Sequence, residues 1–100
     1  MGGTNLNKQV IVVNHIELRG IPNSITQIVG EKGGIDRNFY GADGKQFLQI
    51  CNNDHGKPKQ HPFGVNGEHS HDYIWDKDVF KERPAREMSA DERKENGDIL

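Results

Sequence analysis

The sequence predicts an α+β domain: a small, mainly antiparallel sheet around a central β-hairpin, with one or two short helices packed on a face or edge. Three observations point there. The β-branched run Val10-Ile11-Val12-Val13 is too short for a free helix and rich in strand formers. Two strand-compatible runs, Ile35 to Tyr40 and Gln46 to Cys51, flank Asp43-Gly44, where glycine accepts the positive φ of a tight turn at little cost. Ser89-x-x-Glu92 is a capping-box pattern and Asn96-Gly97 a helix stop, so 89–97 reads as a short terminal helix.

In chain order, "MGGTNLN" (1–7) reads as a loose N-terminus, and the first strand starts at Val10 and reaches as far as Leu18. In "IPNSITQIVGEKGG", Pro22-Asn23-Ser24 is a turn or helix start. Ile25, Ile28 and Val29 at helical spacing then predict a short helix ending at Gly30, with an irregular strand as the alternative. The hairpin follows. The segment 52–67, with two prolines and three glycines, predicts a long surface loop. "EHSHDYIWD" returns to strand, and its period of two puts His69, His71, Tyr73 and Trp75 on one face and Ser70, Asp72 and Ile74 on the other. "DKDVFKERPAREM" reads as a turn and an extended piece around Pro84. The terminal helix comes last, with Met88 and Ile99 as its anchors.

One hundred residues, of which 32% are hydrophobic and 12 are glycine, form one domain with a single modest core. A net charge of -2 gives no global attraction to nucleic acid or to an anionic membrane, so any phosphate binding must be local. The single cysteine, Cys51, excludes an intramolecular disulfide and fits a reducing compartment. With no long apolar run, the expectation is a cytoplasmic protein without membrane contact.

Four of the five histidines, His55, His61, His69 and His71, fall between positions 55 and 71. Two chemistries fit them. In the first, a neutral imidazole beside a protonated one works as a metal-independent general acid/base pair, as cleavage of RNA through its own 2′-hydroxyl requires. His69 and His71 are then the pair, with His55 or His61 as partner. Lys57, Lys59, Arg37, Arg83 or Arg86 would neutralise phosphate, and Tyr73 or Trp75 would stack a base. In the second, His69-x-His71 presents two imidazoles to a zinc or iron ion, with His55, His61 or Asp72 completing the shell, although Asp72 should face the other side of a regular strand. A polar edge strand with solvated histidines is the bland alternative to both. Cys51, at the end of an apolar strand, reads as a small buried hydrophobe rather than a nucleophile. His15 reads as structural, and Gly33-Gly34 as a turn.

Taken in order, "PNSITQ", "GGIDRNFYGADGKQFLQI", "DHGKPKQHPFG" and "GEHSHDYIW" resemble a small domain found at the C-termini of phage head (minor capsid) proteins and at the tips of Rhs-type polymorphic toxins. An Arg-aromatic strand, an Asp-Gly hairpin, a His-Gly step and a late His-x-His strand carry the resemblance across Pro22 to Glu95. The matching positions are Arg37, Asp43, Gly44, His55, Gly56, His61, His69 and His71. The resemblance implies a phage- or mobile-element-linked protein in the host cytoplasm, with nuclease activity as the property ascribed to its toxin-linked members. The functional expectation is therefore a ribonuclease-like protein acting on RNA without a cofactor. The alternatives are a non-catalytic accessory module with a phage or host protein partner, and a zinc-binding hydrolase or metal-stabilised domain.

Overall fold

A computed structural model describes residues 9–100, and the expected loose segment 1–7 lies outside them. The described residues form eight strands and one helix: β1 (Val10–Val12), β2 (Ile25–Val29), β3 (Ile35–Tyr40), β4 (Gln46–Cys51), β5 (His69–Asp72), β6 (Ile74–Asp76), β7 (Val79–Glu82), β8 (Ala85–Arg86) and α1 (Ala90–Glu95). Six strands form one sheet in the order β1-β2-β3-β4-β5-β8, while β6 and β7 form a separate hairpin. The protein is thus essentially all-β. The expected α+β class is corrected: one six-residue helix is the only helix among the described residues, and the large sheet is mixed, because β1 runs parallel to β2.

The second expected helix fails at 22–30. Ile25, Ile28 and Val29 do sit at helical spacing, but the segment is rich in β-branched residues and pairs along its whole length with β3, from Ile25↔Phe39 to Val29↔Ile35. Each paired residue satisfies its backbone against a neighbouring strand, which outweighs a weak helical pattern. The first strand is also shorter than the expected reach to Leu18, ending at Val12.

The central hairpin occupies the two runs marked in the sequence. Gly44 takes φ +79°, and a Cβ there would meet the Gly20 carbonyl oxygen at 2.8 Å, so both the turn and its close approach to 20 require glycine. Between Phe39 and Tyr40 the pairing slips, so that Tyr40 opposes Gln46 while Phe39 opposes Leu48. This bulge leaves Phe47 unpaired and turns Gln46 onto the same face as Gln49.

The two faces of the sheet differ in chemistry. On one, Ile25, Phe39 and Ile50 pack with Met88 and Ile99, and with the partly buried Val10, Ile35 and Leu48. None of the residues of α1 is buried. The core anchors flank the helix instead, and its capping box, with Ser89 Oγ accepting from Glu92 N–H and Glu92 accepting from Ser89 N–H, fixes where it starts. Buried Arg37 also lies on this face, donating to Asp98, Asn96 and Gln27. The opposite face is polar yet buried: it carries Asn38, Gln46, Gln49, Cys51, His69 and His71, with the rings of His55 and His61 from the 52–67 segment against His69. Asn38 Oδ1 accepts from both Gln46 and Gln49, which satisfies part of it.

Candidate metal centre

The strand register assembles the site. Asp36 on β3 opposes Cys51 on β4, and Cys51 opposes His69 on β5, so the three lie in one row across the polar face. His71, two residues on, shares the face of His69 and opposes Gln49. The loop 52–67 then folds back over this row. Asn53 Oδ1 accepts from His55 N–H and Asp54 Oδ1 from Gly56 N–H, a turn that holds His55 at φ +57°. At the far end of the loop, Gly67 lies against Asp54 so closely that a Cβ would meet the Asp54 backbone nitrogen at 2.8 Å.

Four imidazoles meet here. The His61 ring stacks on His69 with centroids 4.4 Å apart, while His55 meets His61 and His69 edge-on at 5.4 and 5.2 Å, and His69 meets His71 edge-on at 4.7 Å. One donor atom from each of Cys51, His55, His69 and His71 lies within 4.8 Å of the others. His61 Nδ1 is buried nearby with no hydrogen-bond partner.

The hydrogen bonds of the two strand histidines decide their protonation. His69 Nδ1 lies 2.8 Å from the Gly67 carbonyl oxygen, and His71 Nδ1 lies 3.0 Å from that of Arg83. A carbonyl oxygen only accepts, so each Nδ1 carries the hydrogen. Each neutral ring then holds a lone pair on Nε2, and these two atoms face one another at 2.9 Å. Two lone pairs at that distance repel unless a cation lies with them. A proton is disfavoured, because burial lowers the pKa of both histidines, that of His71 to about 4. The Cys51 thiol is pushed in the other direction, upwards, by burial and then by the adjacent Asp36 carboxylate, so a metal must displace its proton.

The arrangement matches what a transition metal needs. Neutral imidazole and thiolate suit zinc, at about 2.0–2.1 Å for nitrogen and about 2.3 Å for sulfur. A tetrahedral shell of that size separates its nitrogens by about 3.3 Å, so His69 and His71 need open by only about 0.4 Å. Both also have the second hydrogen bond, from ring N–H to backbone carbonyl, that fixes ligating histidines in their rotamers.

The other residues singled out in the sequence fall elsewhere. His15 is exposed and pairs with Glu17. Lys57 and Lys59 are exposed on the loop. Arg37 is on the opposite face of the sheet, held by Asp98. Tyr73 is buried after the strand breaks, its hydroxyl accepting from Arg83. Trp75 belongs to the β6-β7 hairpin, donating from Nε1 to the Gln46 carbonyl with Arg19 and Lys45 over its ring. Asp72 faces away from the histidines and pairs with Arg86, which also holds Glu92. Cys51 is the donor that sequence reasoning set aside. Its spacing from the histidines has no motif, and only the β4-β5 register could have exposed it.

No protein-family model, curated protein or solved structure matches the chain. Nothing in these comparisons links the chain to phage head or Rhs toxin domains. Among the described residues, no helix is long and apolar enough to cross a membrane.

Proposed function

We propose that this is a metal-stabilised domain that binds one transition-metal ion, zinc by donor chemistry, through Cys51 Sγ, His69 Nε2, His71 Nε2 and a ring nitrogen of His55. The observation that carries the reading is the pair of lone-pair-bearing Nε2 atoms facing each other at 2.9 Å in a buried site. Four protein donors make a closed shell, which is the structural rather than the hydrolytic form of a zinc site. The ion has a physical task here. The apolar core covers one face of the sheet only, and the loop 52–67 lies on a buried polar face where hydrophobic burial holds it weakly. A metal bond from His55 to donors on β4 and β5 ties that loop down.

Metal-independent RNA cleavage has less support. His69 and His71 are 0% and 5% exposed, so a phosphodiester has little access to either, and burial lowers the pKa of both, which disfavours the protonated form an acid catalyst needs.

The test is elemental analysis and thermal unfolding of protein purified without a histidine tag. One zinc per chain, a melting temperature lowered by chelator and its recovery on adding zinc are expected. A chain without metal, whose unfolding ignores both chelator and zinc, refutes the proposal.

A further inference from the structure

Asp36 Oδ1 is a buried carboxylate oxygen without a hydrogen-bond partner, and His55 Nε2 lies 3.9 Å from it. Leaving such an atom unpaired costs stability, so the structure should have a state in which it is used. We propose that Asp36 is a positioning residue of the metal centre: it accepts a hydrogen bond from His55 Nε2–H and so presents His55 Nδ1 to the ion. The inference rests on the metal reading above and adds which nitrogen binds and what selects it.

Three observations converge on this. Asp36 is in register with Cys51 and, through it, with His69, so it lies at the end of the donor row where the loop brings His55. Closing 3.9 Å to hydrogen-bond distance requires roughly 1 Å of movement, and His55 sits on the loop rather than on a strand. The charges also balance: a divalent ion with one thiolate and three neutral imidazoles carries +1, and the partly buried Asp36 carboxylate beside it cancels that charge. The histidines then divide by element. His69 and His71 are oriented by backbone carbonyls and bind through Nε2, whereas His55 is oriented by a carboxylate and binds through Nδ1.

The experiment is a pair of measurements on the full chain. Imidazole nitrogen chemical shifts of the 15N-labelled protein, with and without zinc, should show His69 and His71 metallated at Nε2 and His55 metallated at Nδ1 with a slowly exchanging Nε2–H. Competition with a chromophoric chelator should show Asp36→Asn binding zinc about 10–100-fold more weakly, and Asp36→Glu recovering part of the loss. In a His55→Ala background, Asp36→Asn should add little further loss. If His69 and His71 respond to zinc while His55 binds through Nε2 or does not respond, the inference is overturned and the metal reading survives. Fully additive losses in the double variant overturn it as well. If no histidine responds to zinc, both fall together.

Discussion

Gly67 and Gly56 form a matched pair that isolates the clamp holding the candidate site together. Both lie in the left-handed region, at φ +81° and +75°. A Cβ at Gly56 meets nothing within 4 Å, whereas one at Gly67 meets Asp54 Cβ at 2.4 Å and the Asp54 backbone N and Cα at 2.8 and 2.9 Å. Alanine at either position carries a conformational cost of about 1–2 kcal/mol. Gly67→Ala adds an overpacking cost of about 1–3 kcal/mol, because the clashing atoms are mainly backbone and cannot swing away. Gly56→Ala should therefore cost about 1–2 kcal/mol and Gly67→Ala about 2–5 kcal/mol by urea denaturation at neutral pH in the presence of zinc. The larger loss should come with weaker zinc binding, since Gly67 also supplies the carbonyl that orients His69. Equal losses for the two alanine variants would refute the idea that the contact of Gly67 with Asp54 closes the loop over the sheet.

Other outcomes follow from the same geometry. Cys51→Ser should keep the fold and lower zinc affinity at least tenfold by chelator competition, because a hydroxyl replaces the thiolate donor. Arg37→Met removes the buried partner of Asp98 on the opposite face; it should lower stability by about 2–4 kcal/mol while leaving the zinc stoichiometry unchanged, and a loss of metal would refute the separation of the two faces. Glu92 is held at a pKa of about 2 by its hydrogen bonds to Arg86. Its folded pKa is below its unfolded value, so its contribution is present above about pH 4.5 and is lost as pH falls towards 2. Because Arg86 is half-exposed, screening reduces that contribution to about 1–2 kcal/mol, and Glu92→Gln should remove this part of the acid sensitivity in denaturation curves taken from pH 6 to pH 2.5.

The sequence by itself determined the elements whose physics is local. The β3-β4 hairpin follows from two strand-forming runs around a glycine that accepts positive φ, and α1 from a capping box spanning Ser89 to Glu92. The shared face of His69 and His71 follows from the two-residue period of a strand. Tertiary structure decided the rest. Ile25–Val29 became a strand because β3 offered it backbone partners, which outweigh a weak helical spacing. Arg37 lies opposite the histidines because odd and even residues of β3 face different ways, so Asp36 rather than Arg37 joins Cys51. The candidate metal donors at positions 51, 55, 69 and 71 have no spacing rule in common. Strands pair about 4.8 Å apart whatever the chain length between them, so register, which depends on the whole sheet, brings Cys51 to His69 and closes His55 over both.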